Sequence, residues 1–369
     1  MKITALVLGQ AGSPLQLQTL EMDDPRPDEM RVRLVATGLC HTDIAMLNRP
    51  FPVEQPIVLG HEGAGVVEAV GSAIRRFRPG DRVLLSYNHC QACPSCLGHA
   101  PSYCHYFFGR NFLGQRPDGS TGLSTPQGRP VRHHFFGQSS FASHCLVNET
   151  NGVAVPEHIS DDLFKMLGPM GCGLQTGAGA MLNVLRPEPG QSVVVLGSGS
   201  VGMAAIMAAR AMGASTIVAV DRVASRLQMA HELGATHGVL AQGDDWVAQI
   251  KSVCGGGAQV SLDTTAHPGV LRAALDVLGP LGRCGFVGGA APDTILQVDV
   301  RSMMSAGKTL RGIIEGDSNA QAFIPQLLRL HAQGLFPFER MVRFYPLADF
   351  QQAIDDSLSG LTLKPILVP

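Results

Sequence analysis

Cys90, Cys93, Cys96 and Cys104 lie in one run, NHCQACPSCLGHAPSYC, with the spacing C-x2-C-x2-C-x7-C. That spacing lets a single loop wrap four thiolates around one tetrahedral zinc. A site closed by four protein ligands is structural, so chemistry has to be sought elsewhere in the chain. Five cysteines remain: Cys40, Cys145, Cys172, Cys254 and Cys284. A catalytic zinc keeps three protein ligands and one open position. Two fragments suit it, Cys40-His41-Thr42-Asp43 and Gly60-His61-Glu62-Gly63. A metal-bound His61 needs its second ring nitrogen held by an acceptor, and Asp43 is a candidate carboxylate for that task. The residues by themselves leave the third ligand open. Cys172, between Gly171 and Gly173, is one candidate and would set the metal at a junction between domains. An ordinary buried thiol is the competing reading for each cysteine, and the expected one for Cys145, Cys254 and Cys284.

A second constellation is Gly197-Ser198-Gly199-Ser200-Val201-Gly202, which fits G-x-G-x-x-G. It follows the apolar run Ser192–Leu196, opens a helical stretch and precedes Asp221, 19 positions after Gly202. In that context the glycines let backbone approach a pyrophosphate, and the helix N-terminus offers N–H groups and a positive dipole end. Asp221 would accept hydrogen bonds from ribose hydroxyls and repel a 2′-phosphate, which favours NAD over NADP. Arg222, directly after it, would soften that exclusion.

The elements that must position these groups fall into two styles. Up to about residue 150, short apolar stretches alternate with Gly, Pro and Asp turns. Arg31–Val35, Gly65–Val70 and Arg82–Leu85 read as strands of a β-rich, loop-heavy domain. From about residue 174 strands and helices alternate: Ser192–Leu196, a helix from Met203 to Met212, Thr216–Val220, a helix over Ala224–Leu233, Gln259–Asp263 and Gly285–Val287. This alternation predicts an α/β fold with a doubly wound parallel sheet. The tail after about residue 314 is mixed and able to fold back onto the first domain.

The 369-residue length predicts two domains, and 45% hydrophobic with 16% charged residues describes a globular chain. With 28 basic against 30 acidic residues the net charge is −2, which argues against nucleic acid or an anionic membrane as partner. No apolar run approaches the ~20 residues that span a bilayer. The N-terminal apolar stretch is too short for a signal peptide and alternates like a strand. Thiolate ligands fit a reducing compartment, so a cytoplasmic enzyme is expected.

At these residues the chain resembles the zinc-dependent, medium-chain alcohol dehydrogenases. Gly60-His61-Glu62-x2-Gly65-x5-Gly71-x2-Ile74 matches that family's zinc signature. The four-cysteine run, Gly171–Gly177 and the nucleotide fingerprint follow in the family's order. The resemblance implies a GroES-like catalytic domain over residues 1–173 and 314–369, and a Rossmann NAD-binding domain over 174–313. It implies two zinc ions per chain, with Cys40, His61 and Cys172 holding the catalytic one. Glu62 would lie behind that metal. Thr42 would bind the substrate oxygen and begin a proton relay. His41 and Lys364 would contact the pyrophosphate, Thr176 and Val201 would pack on the nicotinamide, and Arg226 would lie near the adenosine ribose. Many members carry a histidine where this chain has Ala45, so the relay would end in water or another base.

Within the family the chain is most similar to aryl (benzyl) alcohol dehydrogenases, in Phe323-Ile324-Pro325, in Gly334–Phe338 and in Gly360–Ile366. Geraniol-type allylic alcohol dehydrogenases share much of this pattern. The implied activity is reversible NAD-linked oxidation of a primary aromatic or allylic alcohol to its aldehyde, by a homodimer or homotetramer. Phe51, Leu113 and Phe141 are candidate pocket residues. The competing readings are glutathione-linked formaldehyde oxidation, polyol oxidation, and a nucleotide-binding protein without catalysis.

Overall fold

The structure, a computed structural model, describes residues 1–48 and 53–369. The chain divides into two compact units, Met1–Cys172 with Asn319–Ile324 and Met341–Pro369, and Gly173–Ser318 with Pro325–Arg340.

In the first unit the strand Glu29–Gly38 organises the larger of two sheets. One edge pairs antiparallel with Gly63–Val70; the other is shared by His144–Asn148 and the C-terminal strand Lys364–Val368. Alternation decides its faces: Met30, Val32 and Leu34 enter the core with Val67, Val83 and Val147, while Arg31 and Arg33 turn outward to Glu68. Register then does something specific. Thr37 opposes Gly63, and Gly38 N–H donates to the Glu62 carbonyl at 2.9 Å. Residues just beyond one strand and just before the other, Cys40 and His61, are therefore delivered to the same end of the sheet. Ile366 opposes Gly38, which brings Lys364 there as well.

The second unit is built on six parallel strands in the order His237–Leu240, Thr216–Asp221, Ser192–Leu196, Ala258–Asp263, Leu278–Phe286, Thr309–Gly312. Ser192–Leu196 is buried throughout, as an apolar β-branched run in the middle of a covered parallel sheet must be. The order reverses beside this strand, between its neighbours Thr216–Asp221 and Ala258–Asp263, and ligands bind at the carboxyl ends of strands at such a point. The helix Ser200–Ala211 begins three residues earlier than the predicted Met203. Its first turn is made from the fingerprint itself, and a Cβ on Gly202 would lie 1.9 Å from the Gly197 carbonyl oxygen.

The predicted domain boundaries need one correction. Gly173, residues 314–318 and Pro325–Arg340, expected with the catalytic domain, belong to the second unit. The Gln175 amide donates to Glu315 at 3.0 Å, the Asn183 amide donates to the Gly316 carbonyl, and Arg340 pairs with Glu232. Only Asn319–Ile324 and the chain from Met341 onward return to the first unit.

Candidate active site

Two groups of metal-ligating side chains converge among the described residues, and both lie in the first unit. In the four-cysteine lobe the Sγ atoms of Cys90 and Cys96 are 3.8 Å apart and those of Cys93 and Cys104 are 4.0 Å apart. A zinc tetrahedron with arms of ~2.3 Å has edges of about 3.8 Å. All four thiols are free, and backbone N–H groups of Cys93 and His105 point at the Cys90 and Cys93 sulfurs from 3.2 and 3.4 Å. Such donors favour thiolate over thiol, as metal binding requires. The donor set is closed and fits a structural zinc.

The second group is Cys40, His61 and Cys172, whose ligand atoms lie within 4.8 Å of one another. Cys172, a candidate that the residues alone left open, stands with the other two. Asp43 organises two of the three from the helix His41–Asn48. One carboxylate oxygen accepts from Cys40 N–H at 3.0 Å; the other accepts from Gly60 N–H at 3.1 Å and meets His61 Nδ1 at 2.8 Å. With Nδ1 held, Nε2 is left as the ligand atom. It is buried without a hydrogen-bond partner among the two thiols. An orphaned imidazole nitrogen beside two cysteine sulfurs is a site that a soft divalent cation completes. Hydrogen bonding from Cys172 holds the Cys40 thiol well below its usual range.

Behind the triad, Glu62 is fully buried and pairs with Lys364 Nζ at 2.9 and 2.7 Å. The third Nζ donor goes to the Leu39 carbonyl at 3.1 Å. Lys364 is therefore the counter-ion of Glu62, and the pyrophosphate contact expected of it is corrected: the ammonium is buried and its three donors are taken. Space here is tight, since a Cβ on Gly38 would sit 2.0 Å from Glu62 Oε2. His41 is exposed, and Thr42 is half-buried in the first turn of the helix that carries Asp43.

Aromatic residues that the sequence reading passed over close the site around His61. Phe136 stacks on its imidazole at 4.4 Å between centroids, and Phe135 meets it edge-on at 5.5 Å. Phe112 contacts both phenylalanines. No local motif marks them, and only the tertiary path brings them to His61. Of the predicted pocket residues, Phe51 lies outside the described residues. Phe141 is buried against Gly60, and Leu113 lines a cavity of about 680 Å³ beside the four-cysteine lobe. None of the triad lines that cavity, which is bounded by Arg26, Glu29, Arg116 and Asn148 as well as by Cys90 and Ala92.

In the second unit Gly197 has φ +92°, and a Cβ on Gly199 would meet open space, which leaves the turn bare for an approaching group. Asp221 accepts from Ser198 N–H at 2.8 Å and Val223 N–H at 3.0 Å, and Arg226 stands 3.8 Å from it. Thr176 lies on the helix Gly173–Gly179, whose Gly177 packs on the Val201 backbone. Bare glycines, a helix start and a carboxylate at the adjacent strand end fit a dinucleotide.

Residues 26–157 match the alcohol dehydrogenase GroES-like domain family, and residues 200–333 match the zinc-binding dehydrogenase family. The chain is 44% identical over 367 residues to a geraniol dehydrogenase from Castellaniella defragrans, covering 99% of this chain and 97% of that protein. The chain belongs to the zinc-binding, medium-chain alcohol dehydrogenase family. Two solved structures are similar to this dehydrogenase over its whole length. A benzyl alcohol dehydrogenase from Acinetobacter calcoaceticus is 44% identical with a TM-score of 0.95, covering 100% of this chain and 99% of that one. An alcohol dehydrogenase zinc-binding domain protein from Burkholderia ambifaria is 49% identical with a TM-score of 0.96 over the same shares. The GroES-like and Rossmann-type architecture expected from the resemblance is therefore present. No helix among the described residues is long and apolar enough to cross a membrane.

Proposed function

We propose that this dehydrogenase oxidises primary allylic or aromatic alcohols reversibly to aldehydes with NAD, holding one catalytic and one structural zinc per chain. The observation that carries the reading is the convergence of Cys40, His61 and Cys172, with His61 Nε2 orphaned and its ring stacked under Phe136. Bound zinc supplies Lewis acidity toward the alcohol oxygen, and bound NAD supplies the hydride acceptor.

The chain's own residues do the rest. Asp43 holds the His61 proton on Nδ1, so Nε2 remains a lone-pair donor. Thr42 accepts the alcohol's hydroxyl proton and passes it outward, ending in water or a base other than Ala45, which has no proton to carry. Asp221 accepts the adenosine ribose hydroxyls, with Arg226 beside it, while Gly197, Gly199 and Gly202 admit the pyrophosphate at the helix start. His41, exposed on its helix, reaches the pyrophosphate, and Thr176 and Val201 pack on the nicotinamide. Phe135 and Phe136 pack on the ring of His61, with Phe112 against both, and hold that imidazole in place. The names of the two 44%-identical relatives support the allylic or aromatic substrate class. Two-fold or tetrameric association and a cytoplasmic setting complete the proposal.

Initial rates with geraniol, cinnamyl alcohol, benzyl alcohol and ethanol, each with NAD and NADP, test it. The unsaturated alcohols should show the higher kcat/KM, with NAD preferred. Ethanol outrunning all three, or formaldehyde oxidation that requires glutathione, would overturn the substrate reading. One zinc per fully active chain would overturn the two-site reading.

A further inference from the structure

Asp43 ties Cys40 to His61. Gln138 and Ser86 carry a further connection, from His61 to the third member, Cys172. Gln138 is fully buried, and its amide oxygen accepts from Gly63 N–H at 3.0 Å. Its Nε2 donates to the His61 carbonyl at 3.0 Å and faces the Ser86 carbonyl at 3.4 Å. One side chain thus clamps the backbone on both sides of Glu62. Ser86, also fully buried, donates its hydroxyl to the Gly171 carbonyl at 2.7 Å, one residue before Cys172. The path His61–Gln138–Ser86–Gly171–Cys172 is continuous and buried.

The loop that presents Gln138 is held to this task. His134, Phe136, Gly137 and Ser139 all have positive φ, between +51° and +71°. Three of the four are not glycine, and such backbone persists only where its surroundings over-determine it. The surroundings here are specific. Asn151 donates to the Phe136 carbonyl at 3.0 Å and to the Ser86 carbonyl at 2.7 Å. Ser139 donates to the Val58 carbonyl, and Ser140 N–H donates to the Gly60 carbonyl at 2.9 Å. The bent loop presses Phe136 onto the His61 ring and aims Gln138 into the turn behind it.

We infer that Gln138 and Ser86 are positioning residues that set the separation of His61 and Cys172, so that the site binds its metal tightly without refolding around it. Neither side chain offers a ligand atom to the triad. They act through the backbone of the residues that do, and outer partners of this kind govern metal affinity by about 10–100-fold.

The inference rests on zinc binding at Cys40, His61 and Cys172, and the test keeps the two apart. Zinc-loaded wild type, Gln138→Met, Ser86→Ala and Ser86→Thr are each exposed to a chromophoric chelator, and zinc release is followed together with thermal unfolding. Wild type should hold two equivalents per chain; a single equivalent would refute the site itself. Gln138→Met and Ser86→Ala should release one equivalent roughly 10–100-fold faster. The equivalent in the four-cysteine lobe should keep its wild-type rate and serve as an internal control. Ser86→Thr, which keeps the hydroxyl, should restore slow release. Release unchanged within twofold, equal acceleration of both equivalents, or failure of Ser86→Thr to restore slow release would overturn the inference. If Gln138→Met does not fold, the Ser86 pair decides by the same criteria.

Discussion

Replacing Asp221 by Asn should invert much of the cofactor preference, and the structure bounds by how much. The carboxylate stands at the end of the strand Thr216–Asp221, with Ser198 N–H and Val223 N–H on its two oxygens and Arg226 3.8 Å away. A 2′-phosphate placed about 4 Å from it carries ~1.5–2 negative charges. At an effective dielectric near 20, each unit-charge pair at that distance repels by about 4 kcal/mol, or roughly 6–8 kcal/mol in all. Arg226 offsets part of this, and the neighbouring exposed Arg222 a smaller part. A remainder of at least ~3 kcal/mol against NADP corresponds to a discrimination of roughly 100-fold. Asn removes the charge and halves the acceptor capacity, so NAD should also lose ~1.5–3 kcal/mol as a charge-assisted ribose bond weakens. The variant leaves Ser198 or Val223 N–H short of an acceptor, which costs about 1–3 kcal/mol of stability. That loss is common to both cofactors and cancels in their ratio. The assay is kcat/KM for NAD and NADP on one alcohol, in wild type and variant. The ratio should move toward NADP by about 100-fold or more. A ratio unchanged within threefold would show that Asp221 only braces the glycine turn and does not read the ribose.

Other perturbations test the first unit. Asp43→Asn keeps one acceptor but sets an amide N–H₂ against either Cys40 N–H or His61 Nδ1–H, so zinc affinity at the triad should fall about 10–100-fold; chelator competition measures it. Lys364→Met leaves the Glu62 carboxylate buried without its counter-ion, and the folded enzyme should lose ~3–5 kcal/mol by denaturant unfolding; a loss under ~1 kcal/mol would contradict the pairing. Gly38→Ala forces a methyl to within 2.0 Å of Glu62 Oε2, and should lower both stability and activity, seen as a fall in Tm together with kcat.

Much of the chemistry was legible along the chain because short loops limit what their residues can reach. Cysteines separated by two, two and seven residues can hardly avoid one another's neighbourhood, and the lobe closes as its spacing requires. The glycine fingerprint is likewise local: strand, turn and helix start are contiguous, and Asp221 sits on the adjacent parallel strand. Cys40 and His61 could be chosen as ligands by type, with Asp43 as their acceptor.

What the sequence alone could not contain is everything decided by pairing across long separations. Lys364 carries a charge that suits a pyrophosphate, but its strand joins the edge of Glu29–Gly38, and that register puts the ammonium on Glu62, 302 residues away in the chain. Cys172 is one free cysteine among five until the fold sets it beside His61. Gln138, Ser86 and the phenylalanines around His61 have no motif, because their roles arise from a bent loop whose path is held by Asn151 and by the strand it lies against. Residue types and their spacing marked the four-cysteine lobe, two of the three converging metal-ligating groups and the glycine turn. Sheet register and loop path, which depend on burying one face of each strand, decided which side chains stand behind them.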